Sequence, residues 1–422
     1  MERNVPPQRL SQDVTIWLAY TSRTASILPV LVFQVWLVQD VAVLEAAVWI
    51  VLGSIAVFLM RRGRLLPWFR QGLRTGWWML PFVAFSALST LWSVSWEMSL
   101  SRWLVLVATI AVAGVVGLRY DGSRLLRLLG AFSALVLLAS VIVVLFAPDV
   151  GIMNYHIIQG AWKGIFWHKN HMGLVAAFAT IMFLVNAIES SQARARSVWM
   201  WGILYVASFL VVVQAASAAA YLTLVAMHAL VLLALTHMKV KDRLQGRHYA
   251  AIAAVLAVGV IMVFLNADHI LRAVNRNSTL TGRVPMWGHL FDKYLSERPI
   301  AGYGFNAFWS VAEHRVTMQR LAGYPDPIVI ADNGFIDILM NTGYVGLGLF
   351  LAFYIGMWWL SLQRAWRARN ITDQFPLFLM AYSLLANATW SLLFENESLF
   401  MLIMLSVLFW MSKPATTEAT AA

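Results

Sequence analysis

Polar and charged residues divide the chain into apolar runs at roughly 24–40, 41–60, 77–93, 104–118, 125–146, 174–188, 198–217, 218–235, 251–266, 335–362, 377–394 and 399–412. Runs of this length and polarity are the signature of helices that cross a bilayer, which takes about 20 apolar residues per crossing. The pattern predicts about twelve helices, with soft boundaries at 40/41 and 217/218. Two stretches break it. Residues 147–173 and, above all, 267–334 are too polar for spans and far longer than a helix connection requires, and ordered loops of that size usually carry function.

Composition fixes the class. At 60% hydrophobic and 12% charged residues, the 422-residue chain is too apolar for a soluble protein and reads as an all-α polytopic membrane protein. The formal charge of +11 does not point to nucleic acid, because the basic residues gather between the spans. With the N-terminus inside, 21 of the 31 Lys and Arg fall on inner segments, including Arg61, Arg62, Arg64, Arg70, Arg74, Arg364, Arg367 and Arg369. Short outer loops are then almost bare of positive charge, and both long stretches, 147–173 and 267–334, face outward. The first residues lack the charged-then-apolar order of a cleaved signal and are expected to remain. Cysteine is absent, which removes disulfides and thiolate metal sites. The economical division is one transmembrane domain, 1–413, containing the loop 267–334, and a disordered tail, 414–422.

Four outer constellations could carry chemistry. In GIFWHKNHMG, His168, Lys169, Asn170 and His171 lie at or just before the start of a span, where free N–H groups and a lysine favour an anion; helix capping and interfacial anchoring explain them as well. In STLTGRVPMW, one of Ser278, Thr279 or Thr281 caps a helix that runs to Glu297, placing Arg283 in its first turn with Trp287 on the same face and Arg272 and Arg276 just upstream; a basic helix resting on lipid is the alternative. At 331–334, Asp332 and Asn333 precede a span, either as caps or with Asp332 as a general base and Asp337 as its buried partner. Glu395 and Glu397 form an outer turn. GYGFNAF reads as a tight turn packing aromatics, Gln214 and Ser217 as a helix-contact pair, and Arg102 as a side chain snorkelling at an outer span end. The histidines show no metal-ligand spacing, so neither metal nor cofactor is expected.

Taken in order, GIFWHKN, S-x-L-T-G-R-x-x-x-W, RPIAGYGFNAFW, ADNGFIDILMNTGYVGLGLF and NES over about 164–398 resemble the O-antigen polymerase and ligase superfamily, and within it exopolysaccharide-production polymerases of the ExoQ type. The resemblance implies a GT-C-like glycosyltransferase of the bacterial inner membrane with a large periplasmic loop. It implies metal-independent transfer of a glycan from an undecaprenyl-pyrophosphate carrier to an acceptor glycan, with membrane lipids and polysaccharide assembly proteins as further partners. Family ligases carry histidines where this chain has Ile330-Ala331-Asp332-Asn333, which shifts weight toward a polymerase. On these roles Lys169, Arg283, Arg276 and Arg272 would bind pyrophosphate and Asp332 or Glu397 would take the acceptor proton. His168, Asn170, Trp287, Asn333 and Tyr303 would support them, and Trp162, Trp167, Trp287, Tyr303, Phe305 and Trp309 could stack on sugar faces. A transporter of the same lipid-linked glycan is the rival class, although such proteins usually show inverted repeats and polar residues at the midplane. Arg364, on the inner face, is expected to tolerate lysine.

Overall fold

The computed structural model describes residues 38–155, 158–240, 282–323, 328–392 and 399–413. Among them, six helices are long and apolar enough to cross a membrane. They are α4 (Trp96–Arg119), α5 (Gly122–Phe146), α7 (Lys169–Gln192), α8 (Ser197–Gln214), α9 (Ala218–Val240) and α12 (Gly334–Arg367). Alongside lie α1 (Val38–Arg62), the short α2 (Leu66–Thr75) and α3 (Met79–Leu88), α13 (Ile371–Asn387) and α14 (Leu399–Met411). Of the twelve expected runs, 41–60, 77–93, 377–394 and 399–412 overlap α1, α3, α13 and α14, while most of 24–40 and all of 251–266 lie outside the described residues. The soft boundary at 40/41 is the interior of α1, whereas that at 217/218 is a true break between α8 and α9.

Helix α7 is the hub of the bundle, packed against α5, α8, α9 and α13. Its alanines 176, 177 and 179 are fully buried and let its neighbours approach closely. Polar side chains tie the hub in place: Asn186 Nδ2 donates to the Leu126 carbonyl at 3.0 Å and the Tyr382 hydroxyl to that of Leu174 at 2.7 Å. On the second side of the bundle α4 packs against α1 and α14. Gly117 rests on the Ser406 carbonyl, a contact that a Cβ would prevent.

The stretch 147–173 is not purely helical. A one-turn α6 (Pro148–Gly151) leads into β1 (Ile152–Tyr155) and β2 (Ile158–Trp162), an antiparallel pair with a register shift after Met153. This small sheet corrects the all-helical expectation.

The long loop is folded around a small core of its own. Helix α10 (Arg283–His289) continues as a π-helix over Leu290–Leu295, and the helical stretch ends at Glu297 as the sequence pattern predicted; its cap, however, is the glycine Gly282 rather than the side chain of Ser278, Thr279 or Thr281, and α11 (Ala312–Ala322) follows. Met286, Leu290, Tyr294, Tyr303, Phe308 and Met318 pack together with Leu339 and Met340 from the start of α12. The last two belong to a half-helix, because α12 is broken at Gly343, whose φ of 64° and ψ of −169° are nearly exclusive to glycine. A break within a long apolar helix leaves backbone groups that must be satisfied by protein. The Pro299–Gly304 segment does so: the Tyr344 and Val345 N–H groups donate to the carbonyls of Pro299 and Ile300 at 2.8 and 3.1 Å, and those of Tyr303 and Gly304 donate to Met340 and Asn341 at 3.1 and 2.8 Å. Beyond the break, residues 344–367 rise about 36 Å at 1.5 Å each, enough for one crossing. The aromatic turn GYGFNAF therefore splints a discontinuous helix, a partnership that its spacing did not reveal.

Candidate functional site

Arg283 and Asp332 form the centre. Arg283 stands in the first turn of α10, which the left-handed Gly282 (φ 85°) opens, and its Nε–H donates to Asp332 Oδ2 at 2.9 Å. Both side chains are largely buried, with 15% and 11% of their surface exposed. The terminal NH2 groups of Arg283 have no other acceptor among the described residues, so they can serve an anion. Trp287, one turn further, donates from Nε1 to the Ala331 carbonyl at 2.7 Å, so the shared face of α10 holds residues 331 and 332 together.

Asp332 does not cap α12. That role belongs to Asn333, whose Oδ1 accepts from the Phe335 and Ile336 N–H groups at 3.0 and 3.2 Å. Asp332 itself adopts a left-handed φ of 54°, tolerated by Asp and Asn better than by other side chains. Burial pushes its carboxyl above the usual range, against the opposing pull of the Arg283 guanidinium. Asp337, one turn into the half-helix, accepts from Trp309 Nε1 at 2.6 Å, from the Ala331 N–H at 3.0 Å and from the Ser391 hydroxyl. It is buried as expected, but its partners are neutral donors.

The start of α7 comes to the same side. His168 is its N-cap, with Nδ1 accepting from the Asn170 N–H at 3.1 Å, which places the imidazole proton on Nε2. Burial, then the charges of Lys169 and Arg283, lower the His168 pKa to about 3, so the ring is neutral at physiological pH. That the charge of Arg283 acts on His168 brings the 164–173 and 278–287 motifs together. His168 also stacks on Trp390 at 5.3 Å, next to Ser391, and Trp167 packs on the same indole at 5.1 Å. The segment that follows α13 is thus part of the site, although the sequence singled out neither Trp390 nor Ser391; one tryptophan in an apolar run offered no distinguishing signal.

Lys169 is buried and its Nζ donates to the carbonyl of Ala216, at the left-handed break between α8 and α9. Asn170 Oδ1 accepts from the Ser217 hydroxyl at 3.1 Å. The helix-contact pair therefore involves Ser217 and Asn170, while Gln214 is exposed. Three further expectations change. Tyr303 is buried, with its hydroxyl donating to the Tyr294 carbonyl and to Glu297 at 3.0 Å each, and Phe305 packs against Phe82, so neither offers a face to a sugar. Trp167 is exposed and Trp162 and Trp287 are half-buried. Arg102 is buried rather than snorkelling. Arg364 is no idle charge: it binds Asp373 through Nε and Nη2 at 2.9 and 2.8 Å and lies over Trp410 at 4.0 Å. Arg272, Arg276, Ser278, Thr279, Thr281, Glu395, Glu397 and the tail 414–422 lie outside the described residues.

A family model described as O-antigen ligase matches residues 203–351, from α8 through the break in α12. The exopolysaccharide production protein ExoQ of Rhizobium meliloti (strain 1021) is 26% identical over 304 residues, covering 68% of this chain. The match spans 65% of that relative's length. The Arg283 and Asp332 pair falls inside the family match, and the His168 end of α7 lies before it.

Proposed function

We propose, from the premise that the chain resembles the O-antigen polymerase and ligase superfamily, that this multi-pass membrane protein is a glycosyltransferase that polymerises exopolysaccharide or O-antigen repeat units. The donor is a glycan on undecaprenyl pyrophosphate and the acceptor a sugar hydroxyl, met at the periplasmic face of the inner membrane in a GT-C-like bundle. The supporting observation is the buried Arg283 and Asp332 pair beside the His168 end of α7. An acceptor oxygen bonds to the anomeric carbon as the bond from that carbon to phosphate breaks, and the electron pair leaves with undecaprenyl pyrophosphate. The terminal groups of Arg283 are suited to grip the departing diphosphate bidentately. Asp332, with its carboxyl raised by burial, is suited to take the hydroxyl proton. Charge that builds on the leaving group is best met by donors already in place, and a guanidinium fixed through its Nε is such a donor.

The family model favours a second reading, O-antigen ligation to lipid A core, because its description is that of a ligase. Ile330–Asn333 without histidine favours the polymerase. The deciding experiment supplies purified protein in detergent with a lipid-linked donor and one of two acceptors, a second lipid-linked repeat or core oligosaccharide. Release of undecaprenyl pyrophosphate with the first is expected. Release with core alone makes it a ligase, and no release in detergent beside flux in sealed vesicles makes it a transporter. Reporter fusions at Arg62 and Gly323 should fall in opposite compartments; one shared compartment refutes the outward placement of the site.

A further inference from the structure

Asp337 occupies the inward side of the half-helix that precedes the break in α12, where an apolar residue would ordinarily fill the core. It is buried, and no arginine or lysine forms an ion pair with it among the described residues. Instead its two oxygens collect neutral donors from three separate segments. Oδ1 accepts from Trp309 Nε1 at 2.6 Å and from the Ala331 N–H at 3.0 Å, and Oδ2 accepts from the same N–H at 3.1 Å and from the Ser391 hydroxyl. One turn on, Asn341 Nδ2 donates to the Asp337 carbonyl at 2.7 Å while its Oδ1 accepts from the Phe308 N–H at 2.9 Å.

The consequence falls on the neighbours of these donors. Ala331 is pinned at its N–H by Asp337 and at its carbonyl by Trp287. The next residue is Asp332, whose left-handed φ of 54° persists only where the surroundings over-determine it. On the other side, Ser391 follows Trp390, the ring on which His168 stacks. A carboxylate is the side chain that can accept all of these bonds at once, because both of its oxygens are acceptors only.

We propose that Asp337 is a positioning residue for the transfer reaction: by gathering Ala331, Trp309 and Ser391 on one carboxylate, it holds Asp332 and Arg283 in register with the His168 end of α7. The role rests on the glycosyltransferase reading above. It separates two substitutions at this position. Asparagine keeps an acceptor for Trp309 and Ala331, and its amide can donate to a reversed Ser391 hydroxyl. Leucine keeps the volume and loses every bond.

The test measures kcat for undecaprenyl pyrophosphate release and the rise in melting temperature caused by inorganic pyrophosphate, at matched protein amounts. Asp337→Asn should stay within about 3-fold of wild type. Asp337→Leu should lose about 10- to 100-fold in kcat, since a displacement near 1 Å can cost that much. Should the leucine variant fail to accumulate, Ser391→Ala and Trp309→Phe, each removing one donor, should both lower kcat. Wild-type kcat in Asp337→Leu, or in both single-donor variants, overturns the proposal, and so does an Asp337→Asn enzyme as slow as Asp337→Leu, which would make the carboxylate itself a reactant. A wild type that releases no diphosphate lipid refutes the reaction instead. The positioning role is then read from whether the pyrophosphate-induced rise survives in Asp337→Asn and is lost in Asp337→Leu.

Discussion

Replacing Asp332 by asparagine isolates the chemistry from the architecture. Asn333, not Asp332, accepts the first free N–H groups of α12, so the cap is untouched. Asparagine also tolerates the φ of 54° at this position, so the backbone gains no strain. What changes is charge. Arg283 keeps an oxygen to donate to, but its largely buried guanidinium loses a counter-charge. Removing one partner of a buried pair outright costs about 3 to 5 kcal/mol; with one hydrogen bond retained, about 1 to 3 kcal/mol of stability is expected. Turnover should fall further, because general-base catalysis contributes about 100- to 10,000-fold, equivalent to roughly 2.7 to 5.4 kcal/mol of barrier. The assay is release of undecaprenyl pyrophosphate per folded protein in detergent, with the melting temperature measured on the same preparation. A variant that melts lower yet turns over at more than about a third of the wild-type rate refutes Asp332 as the base. If Glu397→Gln is then inactive while well folded, the role passes to Glu397.

Arg283→Lys should lower kcat by about 10-fold or more, because one ammonium cannot serve Asp332 and grip a diphosphate bidentately; wild-type turnover would remove Arg283 from the anion site. Arg364→Lys should leave turnover per folded protein unchanged but lower the melting temperature, since it gives up one of two bonds to Asp373 and the Trp410 stack, a loss of about 1 kcal/mol at this partly exposed site; an unchanged melting temperature refutes that. His168 has a folded pKa of about 3, below its ordinary 6.5, so its contribution to stability is complete above pH 6.5 and is lost toward pH 3. His168→Asn, which preserves an acceptor for the Asn170 N–H, should therefore flatten the decline in unfolding free energy between pH 6 and 4, a slope of about 1.4 kcal/mol per pH unit; an identical decline in both proteins argues against a buried neutral ring. Gly343→Ala should prevent accumulation of folded protein, because a Cβ there meets the Ile300 backbone at a φ of 64°; normal yield and melting temperature would refute the splinted break.

Much of this protein was legible in the sequence because hydropathy acts over the length of a single helix. The apolar runs locate α4, α5, α7, α8, α9 and most of α12, and the motifs that matter were picked out as departures from that pattern. The end of the helical stretch at Glu297, with Trp287 on the face of Arg283, was also a local signal, whereas the expected Ser or Thr cap gave way to Gly282. Other features were decided by partners far away in the chain. Local signals rank Asp and Asn alike as caps, and only the position of Arg283, 49 residues earlier, draws Asp332 aside and leaves the cap to Asn333. The glycine-rich run at 343 looks like an ordinary pause in a span until the Pro299–Gly304 segment supplies the hydrogen bonds that make a broken helix tolerable. Trp390 and Ser391 join the site through ring stacking and a carboxylate at Asp337, neither of which leaves a period or a spacing to detect. Periodicity records which face of an element avoids water; which elements meet, and which polar groups they satisfy there, is set by packing in three dimensions.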